Sequence, residues 1–240
     1  NGFRVNVDGM YINKGLSQAI DCRGKDTLRA FVELTPQAYD DDNPIKILST
    51  LIFRLSNGVM RAVELEAWGQ NVIILRGQHI SNDITFDKKR PYLIYDSLVV
   101  NKGAVLTISA GAKLMFHSDA GIRIDGTLKA IGEAGKPVIF RGDRTDVMFK
   151  NQPYDRIPNQ WQGIRFTADS YNNVLNHCDI HSGNYGVVCD SSDVSQEKLR
   201  MENSVITGMS GNGFTLRRSK VFVGNCQITN SGGDCVAVYG

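Results

Sequence analysis

The sequence lacks any apolar run approaching the ~18 residues of a membrane-crossing helix; stretches such as Val72–Leu75 and Leu98–Val100 are far shorter. No transmembrane segment is therefore expected. Proline is scarce, at 6 residues against 24 glycines, and helical periodicity is absent, which excludes collagen-like and coiled-coil architectures. The five cysteines, Cys22, Cys178, Cys189, Cys226 and Cys235, form neither an even framework nor a C-x-x-C pair, so a disulfide scaffold and structural zinc are not indicated. Charge of one sign is also missing. Twenty-seven basic and 25 acidic residues are interspersed for a net charge of +2, which gives no electrostatic footprint for nucleic acid or anionic lipid. No cofactor motif is recognised and no cofactor is expected.

Short strands are present throughout. Within residues 1–76, the segments Phe3–Gly9, Leu28–Leu34, Ile45–Leu55 and Val59–Trp68 alternate apolar and polar side chains at period two. Such alternation places one face of each strand on a core, as in a β-sandwich. Between two of them, Ser56-Asn57-Gly58 offers the Asn-Gly pair that tight hairpins favour. The stretch 77–91 is polar and contains Lys88-Lys89-Arg90 before Pro91, and it reads as a linker between modules.

From residue 92 the texture changes to strands of three or four residues recurring every six to ten positions, such as Val105–Ile108, Lys113–Phe116, Gly121–Ile124 and Gly163–Phe166. Further on, the repeat aligns with itself. Ser204 and Cys226 are 22 residues apart, as are Gly213 and Cys235, while Cys178 and Ser204 are 26 apart because a polar loop intervenes. A period in the low twenties is solenoid spacing. The leucine-rich frame is missing, and the parallel β-helix, which needs only short strands and bends relieved by Gly or Asn, fits better. Stacked coils would align Ile180, Ile206 and Ile228 in one interior column and Cys178, Ser204 and Cys226 in its neighbour, with Asn203 and Asn225 forming an amide ladder at a turn. Cys178 and Cys226 would then lie two coils apart, about 9.6 Å, too far for a bridge.

The segments Tyr92–Val100, Gly103–Phe116, Asp125–Gly132, Lys136–Phe140 and Trp161–Phe166 resemble the right-handed parallel β-helix repeat proteins exported by Bacteroidetes, over about residues 76–240. The leading segment, ending in Val63–Gln70, resembles the immunoglobulin-like modules of the Hydin and spindle-protein type. The resemblance implies an all-β fold, a partial immunoglobulin-like sandwich followed by a right-handed parallel β-helix spanning 92–240. It further implies export to the outer-membrane surface or the extracellular space, with a lipid anchor carried by a segment not present here.

Three groups of residues invite chemistry. His177, Asp179 and His181 alternate along one strand, so they are expected to share an outward face, where two imidazoles and a carboxylate suit a metal or a proton relay; the coil aligned beside them offers only Asn203, Val205 and Thr207. Asp190 and Asp193 flank Ser191-Ser192 on a loop, which suits a calcium ion or a solvated turn. The twenty residues 141–160 interrupt the repeat without strand period, and long unpatterned loops are commonly functional. Tyr154, Asp155, Arg156 and Trp161 there suit stacking and hydrogen bonding of a sugar or peptide, beside a concavity formed where the loop meets the helix.

The leading expectation is a non-catalytic binding or scaffolding protein that presents a solenoid face and this loop to a glycan or a surface protein. The alternative is a polysaccharide lyase or glycoside hydrolase with an exterior groove, although no recurrent acidic pair marks one. Both ends are expected to be truncated: the sandwich has too few strands, and the final coil at Cys235–Val238 has no polar cap, an edge open to self-association.

Overall fold

The computed structural model describes residues 2–12, 19–37 and 43–240, without the side chain of Met148. It divides into two compact units, Asn1–Asn71 and Val72–Gly240. No helix among the described residues is long and apolar enough to cross a membrane.

The first unit is antiparallel β. Strand β1 (Phe3–Val7) lies between β2 (Met10–Ile12) and β3 (Ala30–Leu34), and β4 (Ile45–Arg54) pairs with β5 (Met60–Gly69) as a long hairpin. The Ser56-Asn57-Gly58 turn closes that hairpin. Leu55 N–H donates to the Val59 carbonyl at 2.8 Å, and Gly58 takes the positive φ, +82°, that a side chain disfavours.

The second unit is a parallel β-solenoid of about seven turns. Its first turn comprises β6 (Ile73–Ile80) and β7 (Ile84–Phe86), and its second β8 (Tyr92–Val100) and β9 (Val105–Ser109). The third comprises β10 (Lys113–Phe116), β11 (Gly121–Ile124) and β12 (Thr127–Ile131). In the fourth, β13 (Val138–Gly142) is separated by an insertion from β16 (Ile164–Phe166) and β17 (Asn173–Asn176). The insertion holds a small hairpin, β14 (Val147–Phe149) and β15 (Gln152–Pro153), and a 3-10 turn, Tyr154–Arg156. The remaining turns are β18 (Cys178–His181), β19 (Val187–Cys189) and β20 (Glu197–Glu202), then β21 (Val205–Met209), β22 (Phe214–Arg217) and β23 (Lys220–Gly224), then β24 (Gln227–Ser231) and β25 (Val236–Tyr239).

Each strand hydrogen-bonds to its counterparts in neighbouring turns, which builds three parallel ladders. The first runs through β8, β10, β13, β18, β21 and β24; the second through β8, β11, β16, β19, β22 and β25; the third through β7, β9, β12, β17, β20 and β23. The linker expected at 77–91 is not one. Residues of β6 pair with β8 and those of β7 with β9, and Phe86 is buried against Tyr92 with ring centroids 4.1 Å apart. The polar texture of this stretch belongs to the outward side chains and corners of the first turn, whose inward positions are apolar.

The interior is a set of stacked columns. Ile180, Ile206 and Ile228 pair in register, as the repeat implies, and Cys178 N–H donates to Ser204 Oγ at 2.9 Å. The corner between the third and first ladders is held by left-handed residues: His177 at φ +50°, Asn203 at +51° and Asn225 at +51°. There, Asn225 Nδ2 donates to Asn203 Oδ1 at 2.6 Å, and Asn203 Nδ2 donates to Asn176 Oδ1 at 2.9 Å. Asparagine tolerates this conformation better than other side chains because its amide bonds locally.

A second corner contains a buried polar plug. Ser170 Oγ donates to the Gly126 carbonyl at 2.8 Å, Asn173 Nδ2 donates to the Lys198 carbonyl at 2.8 Å, and the Lys198 ammonium donates to the Ser170 carbonyl at 2.9 Å. Lys198 is fully buried at the register shift between Glu197 and Leu199, and desolvation lowers its pKa. Its ammonium bonds to the Thr167 and Ser170 carbonyls and lies 5.1 Å from the centroid of the Tyr171 ring.

All five cysteines are free. Burial pushes the Cys178 thiol up strongly and the Cys189 thiol to about 12, so both remain protonated at neutral pH. Alkylation of the native protein is expected to label the exposed Cys22 and Cys235 and to spare Cys178 and Cys189 until denaturant is added; rapid native labelling of the latter pair would contradict the solenoid core. At the corner, Asn203→Ala is expected to cost about 2 kcal/mol, for the left-handed backbone and the lost amide bonds. Asn203→Gly removes only the bonds and should cost about half as much. Urea unfolding of both variants checks the ordering, and a smaller loss for alanine would refute it.

Candidate functional site

The outward face of the first ladder, at its fourth and fifth turns, gathers the charged side chains that the sequence scattered. Pairing of Phe140 with Ile180 brings Ile139 opposite Asp179 and Arg141 beside His181, and on the other side Val205 faces Asp179 and Thr207 faces His181. The insertion folds back over this patch. Asn159 N–H donates to the Gly183 carbonyl at 3.0 Å, and Gln160 N–H to the Ser182 carbonyl at 2.8 Å.

Asp155, in the 3-10 turn, accepts from Arg141 Nη1 at 3.1 Å through Oδ2. The two side chains are 20% and 16% exposed, so this ion pair is better shielded from solvent than a typical surface pair. Burial pulls the Arg141 pKa down and Asp155 opposes it. His181 Nδ1 lies 2.8 Å from Asp179 Oδ1; a carboxylate only accepts, so Nδ1 carries the proton. The other ring nitrogen, Nε2, is 4.0 Å from Asp155 Oδ2. His181 Nε2 and Asp155 Oδ1 are both buried, and neither has a hydrogen-bond partner among the described residues. Leaving such an atom unpaired costs about 1–3 kcal/mol, and here two such atoms belong to neighbouring side chains.

Asp179 is subject to opposing effects. Burial raises its pKa, but the His181 hydrogen bond and the charges of His181, Arg156 and Arg141 outweigh burial and hold the carboxyl below its usual range.

The structure assembles part of what the sequence suggested and disperses the rest. Asp155, Asp179 and His181 come together, with Arg156 near enough to act electrostatically on Asp179. Tyr154 is half-buried in the insertion, with the Arg144 guanidinium 3.5 Å from its ring centroid. Trp161, expected beside a ligand, is instead a core residue. It is 1% exposed, stacks on Phe116 at 4.4 Å and donates from Nε1 to the His181 carbonyl at 2.9 Å. His177 does not share the face of Asp179 and His181: its positive φ makes it the corner before the strand, which breaks the alternation. No group of three His, Cys, Asp or Glu side chains placed to hold a metal occurs among the described residues.

Asp190 and Asp193 also part company. Asp190 accepts from Arg165 at 2.8 and 3.2 Å, while Asp193 caps its own loop through the Ser195 N–H at 2.9 Å. Arg141, which pairs with Asp155 over the same face, is the residue that sequence reasoning missed. The signal existed in the apolar pair Val138 and Phe140, which aligns with Cys178 and Ile180, but the insertion within the fourth turn hid the register. Concavities lie on the first unit's three-stranded sheet, lined in part by Arg4, Tyr11 and Glu33, and involve none of the residues singled out in the sequence.

No family model matches the chain, and no solved structure matches it. Among curated proteins it is similar to Protein bark beetle of Drosophila melanogaster, at 29% identity over 117 residues. The match covers 48% of this chain and 4% of that protein, so the chain spans a small part of its relative's length.

The depressed Asp179 pKa has a signed consequence. Its pairing stabilises the fold above the carboxyl's unfolded value of ~3.9 and is lost as pH falls through the lower folded value. Asp179→Asn is therefore expected to be less stable than the parent at pH 6, with the gap closing below about pH 4. Thermal unfolding from pH 2.5 to 6 measures this, and a gap independent of pH would show that the carboxylate charge is not what the cluster uses.

Proposed function

We propose that the chain is a non-catalytic binding or scaffolding module of an exported or cell-surface protein, which engages a glycan or a protein through the 141–160 loop, whose first two residues end β13 and whose remainder is the 143–160 insertion, and the solenoid face beneath it. The observation that carries this reading is the way the insertion is seated. It is tied down by Asn159, Gln160 and the Arg141–Asp155 pair, yet it presents Val147 and Phe149 at 60% and 67% exposure, together with the stacked Arg144 and Tyr154. A loop fixed before binding loses less entropy on binding, and exposed apolar and aromatic groups beside paired charges suit sugar rings or peptide side chains. The right hand of the solenoid, the immunoglobulin-like character of the first unit and the surface location belong to the same proposal, and they rest on the sequence resemblance to exported Bacteroidetes proteins.

The rival reading, a lyase or hydrolase, has one observation in its favour: the Asp179–His181 pair leaves a ring nitrogen free of hydrogen bonds, as a general base requires. A glycan array and a surface-protein panel, run alongside reducing-sugar and unsaturated-product assays, separate the two. Binding without turnover is expected, with at least a tenfold loss, about 1.4 kcal/mol, in Tyr154→Ala and Phe149→Ala. Product formation abolished by His181→Gln would establish the enzyme instead, and binding unaffected by either loop variant would remove the insertion from the interface.

A further inference from the structure

The cluster under the insertion contains a mismatch that its other bonds do not explain. His181 is 6% exposed in its side chain, with Nδ1–H committed to Asp179 at 2.8 Å, so its Nε2 presents a lone pair. Facing it is the carboxylate of Asp155, Oδ2 at 4.0 Å and Oδ1 unpartnered. Two acceptors oppose each other with no donor between them among the described residues, and one proton on Nε2 supplies it. We infer that His181 is a proton-operated latch: on gaining a proton, its Nε2–H donates to Asp155 and adds a tie between the 143–160 insertion and the solenoid face, and on losing it that tie is lost and the insertion is held only by its backbone bonds and the Arg141–Asp155 pair. This rests on the reading of the insertion as the recognition element and assigns its regulation.

The surroundings set the balance of charge. From β13 comes Arg141, engaged with Asp155; from β18 itself, Asp179; from the insertion, Asp155 and Arg156, with Asp143 also acting on Arg141; from β21, the uncharged Val205 and Thr207. Around a neutral ring, the carboxylates of Asp155 and Asp179 are matched by the guanidiniums of Arg141 and Arg156. The added proton places positive charge between the two carboxylates, and Arg156 is exposed to solvent, where its charge is screened. The backbone beneath is fixed, because Trp161 holds the His181 carbonyl, so closing the 4.0 Å gap falls to the insertion.

Hydrogen exchange of the whole chain, with no ligand added, tests the latch. The reporters are the amides of Tyr154, Asn159 and Gln160, which bond to Asp146, Gly183 and Ser182. After correction for intrinsic rates, their protection is expected to be at least tenfold greater at pH 5.5 than at pH 7.5. Nitrogen NMR of the ring should show the Nδ1–H tautomer at the higher pH and the doubly protonated ring at the lower. His181→Gln and Asp155→Ala should each abolish the pH step. Protection that does not change with pH in the unmodified protein, a ring neutral at both pH values, or a step that survives in either variant overturns the proposal. If the variants do not fold, the two measurements on the unmodified protein still decide it. Absence of glycan or protein binding would leave the latch standing, and an exchange profile independent of pH would leave the binding proposal standing.

Discussion

Parallel, in-register stacking of one turn on the next is the constraint from which the remaining features follow. Strands in a sheet lie about 4.8 Å apart, so a side chain's neighbours on the solenoid face are those one turn before and after, rather than those near it in sequence. Inward columns such as Ile180, Ile206 and Ile228 then fill the interior. Corners must turn without breaking the ladders, which is why left-handed Asn203 and Asn225 recur at one position and bond to each other. Where a corner buries carbonyls, a donor must be brought to them, and Lys198 supplies it from a bulge in β20.

The same constraint creates the charged cluster. Arg141 and His181 are forty residues apart in the chain but adjacent on the face, because β13 and β18 are consecutive in one ladder. Their protection from solvent comes from the insertion, whose Asp155 completes the pairing with Arg141. Ladder and insertion thus contribute different things, one a fixed spacing of charges and the other a low-dielectric cover that strengthens their interaction.

Legibility in the sequence followed the periodicity. The last three turns, spaced 26 and then 22 residues apart in corresponding positions, are registered residue by residue from the sequence, and the columns they imply are those observed. The first turn was obscured because Lys88-Lys89-Arg90 lies at a corner next to the inward Phe86 and Tyr92, so composition outweighed pattern. At His177 the sequence continues the strand's alternation, but the backbone there is left-handed, which makes the residue a corner and not part of the strand face. Trp161 follows the loop directly in sequence, while its partner Phe116 comes from the preceding turn, a contact that single-sequence spacing does not reveal across an insertion.

The insertion replaces a corner that other turns close in a few residues, as at 117–120, 182–186 and 210–213. Its two ends also meet: a Cβ on Gly142 would stand 2.4 Å from that of Gln160. The strands on either side are registered by their own ladders and not by the length of chain between them. The solenoid therefore behaves as a mounting rail whose fourth bracket accepts segments of different length and sequence. Chain length and side chains can change at this one corner while the rail that carries it stays unchanged.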